Sequence, residues 1–202
     1  MTVITALAEL ALRSHKANWT RAQWELLPAD GNRYEIVDGV LYMTTAPSTF
    51  HQWIIQQIFL YLHQQLALTG LGLIFVAPVG LFMPGCDPVQ PDLVVVRRAE
   101  HDIIRDRHIY GIPALIVEVL SPSNAEQDLE IKRGAYARAG VPEYWIARPA
   151  ERDVLVNSHP DPASGQYLQV SQVASDGELV SPTLPFRAAV SQFFAGAPDT
   201  TL

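Results

Sequence analysis

Residues 114–120 read Ala-Leu-Ile-Val-Glu-Val-Leu. So continuous an apolar run predicts a β-strand covered on both faces, the inner strand of a layered α/β protein. Period-two alternation puts Ala114, Ile116, Glu118 and Leu120 on one face. Glu118 therefore lies where a carboxylate costs several kcal/mol unless it gains a cation, a metal or a proton. It is either one half of a buried ion pair with an arginine or one member of a site.

The flanking segments supply the rest of a layered fold. Ser123-Asn124-Ala125-Glu126 has the capping-box pattern and predicts a helix running to Ala139, with Gly140 as its stop. Glu143-Tyr144-Trp145-Ile146-Ala147 follows as a strand. Upstream, Pro91 to Val96 and Leu71 to Leu81 read as strands, with Asp87-Pro88 as the turn between them. Ser48 caps a long helix over about Thr49 to Thr69, stopped by Gly70, whose apolar stripe is Ile54, Ile55, Ile58, Phe59 and Leu62. Tyr34-Glu35-Ile36-Val37 and Val40-Leu41-Tyr42-Met43 flank Asp38-Gly39, a strong two-residue hairpin signal. Residues 1–29 read as a helical prelude with a capping box at Thr20-Arg21-Ala22-Gln23. Residues 97–112 read as a charged, irregular connection, and residues 151–202 as a β extension forming an extra layer. The order helix, strand, strand, strand, helix, strand predicts an α/β (α+β) sandwich around a mixed β-sheet flanked by helices. We expect a single domain over 1–202, with its core at 30–150.

Composition narrows the function classes. The chain has 202 residues, 49% apolar and 17% charged, which excludes disorder. No apolar run approaches a membrane span and no signal-peptide pattern opens the chain, so the expectation is a soluble, cytoplasmic protein without a membrane partner. A single cysteine, Cys86, excludes an internal disulfide and a cysteine-based zinc cage. The net charge of −7 argues at first against nucleic acid. Its distribution is less hostile: 8 of the 14 positive residues lie between Arg97 and Arg148, around Glu118.

A second acid opens another apolar strand, Asp92 in Pro91-Asp92-Leu93-Val94-Val95-Val96. Two carboxylates on neighbouring core strands repel, and a hard divalent cation such as Mg²⁺ compensates them. Only two lysines occur, Lys16 and Lys132. Lys132 is either the partner of Asp128 in an i,i+4 helix pair or an ammonium aimed at Asp92 and Glu118. Glu35 reads equally as a solvated hairpin residue, and His51 as a partly exposed helix residue. Tyr136 reads as packing at the helix edge.

These residues resemble the PD-(D/E)XK nuclease superfamily. More narrowly, six motifs resemble the bacterial Uma-two family of restriction-type endonucleases. They are Tyr34-Glu35-Ile36-Val37-Asp38-Gly39, Pro47-Ser48-x-x-His51, Gln90-Pro91-Asp92-Leu93, Glu118-Val119-Leu120-Ser121-Pro122-Ser123, Asp128-x-x-x-Lys132 and Gly140-Val141-x-Glu143-Tyr144-Trp145. The resemblance covers about residues 20–195 and implies a restriction-endonuclease-like core. It implies Asp92, Glu118 and Glu35 as ligands of Mg²⁺, with Mn²⁺ as a substitute, and Lys132 and His51 as further catalytic residues. The lysine of the usual motif lies two residues after the acid, where this chain has Leu120, so its role passes to Lys132. The implied activity is metal-dependent hydrolysis of phosphodiester bonds in DNA. The alternative is an inactive, nuclease-like nucleic-acid-binding or regulatory module, which Leu120 favours. A homodimer stays open, with Trp19 or Trp53 available to an interface.

Overall fold

In chain order the strands are β1 (Ala11–Arg13), β2 (Arg33–Val37), β3 (Val40–Thr44), β4 (Gly72–Val76), β5 (Gly80–Met83), β6 (Cys86–Val89), β7 (Leu93–Arg97), β8 (His108–Tyr110), β9 (Leu115–Val119), β10 (Glu143–Arg148), β11 (Asp153–Asp161), β12 (Gln166–Val173), β13 (Glu178–Val180) and β14 (Arg187–Ala189). The helices are α1 (Arg21–Trp24), α2 (Thr49–Leu62), α3 (Arg133–Ala139) and α4 (Ser191–Phe194). The computed structural model describes residues 11–121 and 125–197.

Two six-stranded sheets form the body, ordered β1-β3-β2-β6-β5-β8 and β12-β11-β10-β9-β7-β4, with β13 and β14 as a separate hairpin. The second sheet is covered on both faces, and the alternation of its strands shows how. Leu93, Val95, Leu115, Val117 and Val119 pack with Ile54, Ile55, Ile58 and Leu62 of α2 and with Phe193 and Phe194 of α4. Val94, Val96, Ile116 and Ile146 point the other way, into a cluster with Val37 and Leu81 of the first sheet and Ala135 and Tyr136 of α3. All five residues of β9 are buried. The parity of the chain thus sends Asp92 and Glu118 toward the first sheet and α3.

The hairpin at Asp38-Gly39 forms as expected: Val37 pairs with Val40, and both turn residues take positive φ. Gly39 is needed there twice over, because a Cβ would also lie 2.7 Å from the Ala17 carbonyl oxygen. Ser48 caps α2, which continues through a π-helical turn over His63–Ala67. Gly140 ends α3 in the left-handed conformation. The capping box at Ser123 lies outside the described residues.

Several expectations are corrected. The stretch Leu71–Leu81 is two strands, β4 and β5, in different sheets, divided around Pro78, which has no N–H for a ladder. Asp87-Pro88 lies inside β6, and the turn before it is at Pro84-Gly85. The connection 97–112 holds a 3₁₀ turn and β8, which pairs in parallel with β5. The described part of the N-terminal prelude is mostly not helical: β1 pairs with β3, and α1 is a single turn with the expected capping box at Thr20. Strands β11 and β12 continue the second sheet beyond β10 and are not a separate layer. Glu143 at the start of β10 is buried and accepts hydrogen bonds from Trp145, Ser181 and Thr183, tying the C-terminal segment to the sheet. Among the described residues no helix is long and apolar enough to cross a membrane.

Candidate active site

Register brings the two strand acids together. Leu93 of β7 faces Val117 of β9 in an antiparallel pair, so one step outward Asp92 meets Glu118 on the same face. The two carboxylates are then fixed by each other's backbone. The Asp92 N–H donates to Glu118 Oε2 at 3.1 Å, and the Val119 N–H donates to Asp92 Oδ2 at 2.9 Å. Backbone donors held by a sheet orient these groups without the entropy of long side chains.

Glu35 arrives from β2 across the gap between the sheets. Its Oε1 accepts from the Gln90 N–H at 2.7 Å and its Oε2 from Gln127 Nε2 at 3.2 Å. Lys132 Nζ sits between the sheets' acids, 2.8 Å from Glu118 Oε1, 2.9 Å from Glu35 Oε2 and 3.4 Å from Asp128 Oδ1. Lys132 therefore combines the pair with Asp128 and the approach to Glu118, while Asp92 takes Arg33 and His51 as its charged partners instead. The segment before α3, Gln127–Lys132, is a π-helical turn whose buried residues are Gln127, Asp128 and Lys132. A π turn is wider than an α turn and recurs at functional sites.

His51, in the first turn of α2, places Nε2 at 3.2 Å from Asp92 Oδ2. It also lines a cavity of about 460 Å³ with Phe50, Leu120, Ser121, Pro149 and Glu151. All five residues implied by the resemblance, Glu35, His51, Asp92, Glu118 and Lys132, converge, each between 1% and 6% exposed. The solvated-hairpin reading of Glu35 and the partly exposed reading of His51 are thereby corrected. So is Tyr136: it is fully buried, and its hydroxyl donates to Glu118 Oε1 at 3.4 Å.

Sequence reasoning missed Arg33, Gln127 and the site role of Gln90. Arg33 Nη1 lies 2.9 Å from Asp92 Oδ1, with a fifth of its side chain exposed. The arginine partner considered for the buried acids therefore exists, on Asp92 and not on Glu118. A usable signal was the placement of Arg33 two residues before Glu35, hence on the same face of β2.

Charge is unevenly distributed. Burial would raise the Asp92 carboxyl, but the adjoining His51 and Arg33 and the Val119 N–H hold it well below the usual carboxylate range. Glu118 is pushed well up by burial, with Asp92, Asp128 and Glu35 adding to the shift and Lys132 opposing it. Asp128 is pushed up to about 6, first by burial and then by Glu35 and Asp92, against Lys132. Burial alone would lower Lys132, but Glu118, Glu35 and Asp128 outweigh it and keep the ammonium charged.

Among the described residues no three His, Cys, Asp or Glu side chains are gathered as a ready cation cage. Donor chemistry nonetheless fits a hard divalent cation. Four buried carboxylates, Glu35, Asp92, Glu118 and Asp128, face two permanent cations, Lys132 and Arg33. Neither oxygen of Asp128 accepts a hydrogen bond. The cluster lacks positive charge and offers oxygen ligands, as Mg²⁺ binding requires.

Comparison with known proteins gives the family and the fold. Residues 21–192 match Uma2, described as "Putative restriction endonuclease". The chain belongs to that family. Its fold is similar to a crystal structure described as a putative nuclease belonging to DUF820 from Anabaena variabilis ATCC 29413, with TM-score 0.72 and 15% identity over 87% of this chain and 97% of that one. No protein of curated function matches. The fold is thus restriction-endonuclease-like, as the resemblance implies, and membership of the Uma2 family supports a nuclease that hydrolyses phosphodiester bonds.

Proposed function

We propose that this Uma2-family chain is a metal-dependent endonuclease acting on DNA. The observation that carries this reading is the meeting of Glu118 and Glu35 on the single buried lysine Lys132, with Asp92 held against Glu118 by its own backbone N–H. Asp92, Glu118 and Glu35 would hold Mg²⁺, or Mn²⁺ in its place. The ion would polarise the phosphate and lower the pKa of a bound water.

The protein's own groups have distinct tasks. Lys132 stays charged, so it acts as a fixed cation that stabilises developing negative charge on phosphate oxygens and not as a base. His51, on the cavity beside Asp92, orients that carboxylate and meets the incoming strand. Arg33 is partly exposed, and on release from Asp92 it offers its guanidinium to a phosphate.

The test is cleavage of supercoiled plasmid with Mg²⁺, with Mn²⁺ and with EDTA, comparing the parent with Asp92→Asn and Glu118→Gln. Both substitutions keep size but turn one accepting oxygen into an N–H donor, so circular dichroism and a urea melt check that each variant is folded before its cutting is compared. Nicking that needs the ion and falls at least a hundredfold in both variants is the expected result; equal cutting by the variants refutes the assignment.

The second reading, an inactive nuclease-like nucleic-acid-binding or regulatory module, draws on the same ion pairs, because Arg33 and Lys132 already partner the strand acids. Titration calorimetry separates the two. The active reading requires Mg²⁺ or Mn²⁺ uptake that Asp92→Asn weakens, whereas a parent that neither cuts nor takes up either ion is the repurposed module.

A further inference from the structure

A second cluster with its own chemistry lies between α1, β5 and β8. The Phe82 and Tyr110 rings stack with centroids 4.9 Å apart and planes 15° apart. The Arg21 guanidinium carbon sits 4.6 Å from the Phe82 centroid and 5.2 Å from that of Tyr110. Trp24 meets Phe82 and His108 edge-on. In front of these rings opens a cavity of about 660 Å³ lined by Arg21, Trp24, Arg105, Arg107, His108 and Tyr110, with Glu25 and Asp106 at its wall. That volume is within the roughly 300–1,000 Å³ of small-molecule pockets.

Three arginines against two acids make this wall positive in a chain of net charge −7. One of the acids, Glu25, is already paired with Arg21 at 2.8 Å. Arg107 lies 4.0 Å from the Asp106 carboxylate, but both side chains are almost wholly exposed, 85% and 98%, so this pair is weak and Arg107 reaches outward. Burial, then the charges of Arg21 and Arg107, lower the His108 imidazole, which favours its neutral form at the pocket wall.

The cluster is also wired to the candidate active site. Trp24 Nε1 donates to the Tyr34 carbonyl at 2.8 Å, and Gln90 Nε2 donates to the same oxygen at 3.1 Å. The Gln90 N–H in turn holds Glu35. Aromatic faces beside arginines at this short remove suit one occupant. Bases stack on such faces only when they are not covered by neighbours, as in a single strand, while guanidinium groups take the flanking phosphates.

We propose that the pocket between α1, β5 and β8 is a single-stranded nucleic-acid subsite, where an unpaired base near the scissile phosphate stacks on Trp24 or Tyr110 and Arg105 and Arg107 hold its phosphates. The inference rests on the nuclease reading for its place in a reaction, but its binding step is testable alone.

Binding of fluorescein-labelled oligo(dT) 15-mer and of a 15-base-pair duplex is measured by anisotropy in EDTA, and plasmid and oligonucleotide cleavage by the parent is measured alongside in Mg²⁺. The parent is expected to prefer the single strand. Tyr110→Ala should weaken oligo(dT) binding about tenfold, as loss of one stacking partner does, while Tyr110→Phe binds like the parent. Arg107→Ala should reduce the slope of log K against log salt by about 0.7, the loss of one phosphate contact. Equal binding by Tyr110→Ala and the parent overturns the proposal, as does a response to Arg107→Ala alone, which marks a charge patch without stacking. Equal displacement of oligo(dT) by poly-glutamate overturns it in favour of an acidic protein partner. If the variants bind as expected but the parent cuts nothing, the subsite stands and the nuclease reading falls. If the parent cuts and the variants bind unchanged, the reverse holds.

Discussion

Lys132 is the residue on which the buried charge balance turns. It reaches Glu35, Glu118 and Asp128 from a position 2% exposed. Deleting one member of a buried ionic cluster leaves the others desolvated and unpaired, which costs about 3–5 kcal/mol. Lys132→Met should therefore lower stability by roughly that amount in urea denaturation. Because the acids then repel more strongly, millimolar Mg²⁺ should restore part of the loss. A variant as stable as the parent would mean that the acids are protonated in the fold and that Lys132 is not their counter-charge. Arginine is no substitute in this space: its planar fork cannot serve three converging carboxylates as a compact ammonium does.

At the scale of elements, the site depends on where α2 begins. Ser48 Oγ accepts from the His51 N–H at 3.2 Å, so the same cap that starts the helix fixes the turn carrying His51 toward Asp92. Ser48→Ala should cost about 1 kcal/mol of stability. It should also reduce plasmid nicking, whereas Ser48→Asp, another strong cap, should restore the stability. Loss of stability with unchanged nicking would separate the cap from the site. The same scale shows what could be read in the sequence. Asp92 and Glu118 stood out because acids in apolar runs have few explanations, and Lys132 because lysine is rare here. Helix α2 and strands β7, β9 and β10 were legible from apolar pattern and caps. Strands β6 and β8 were not, being short, and β6 contains Pro88. Gln127 escaped notice because a π turn breaks the 3.6-residue period by which helix faces are read, bringing Gln127 and Lys132 to one side. Nothing local to Arg33 marks it, since its partner Asp92 lies 59 residues away and is met only through the packing of two sheets.

Over the whole molecule, excess buried acid makes stability depend on pH in a specific direction. Asp128 has an ordinary value of 3.8 and is pushed up to about 6 in the fold, mainly by burial, and Glu118 shifts the same way. A carboxyl raised on folding binds its proton more tightly in the native state, so the native state is favoured at low pH. Stability should then fall as pH rises from about 4 to about 6, by at most about 3 kcal/mol from Asp128. Asp92 is shifted down, so its contribution is lost only below pH 3.8, outside that window. Thermal melts between pH 4 and 8 check this. Mg²⁺ should raise Tm more at pH 7 than at pH 5, where protons compete for the same oxygens. A Tm that rises steadily from pH 4 to 6 without metal contradicts the charge balance described here.

The mutual hold of Asp92 and Glu118 on each other's backbone also links activity to the history of the chain. A slip of β7 against β9 by one residue would turn one acid away from its partner and sever both bonds at once. Glu35, Asp92, Glu118 and Lys132 are spread across nearly a hundred residues of sequence, so a chain still being made, or one paired out of register, holds no assembled cluster. If the chain cuts DNA as proposed, this gives the cell a built-in safety catch: the chemistry becomes possible only after the protein has finished folding correctly.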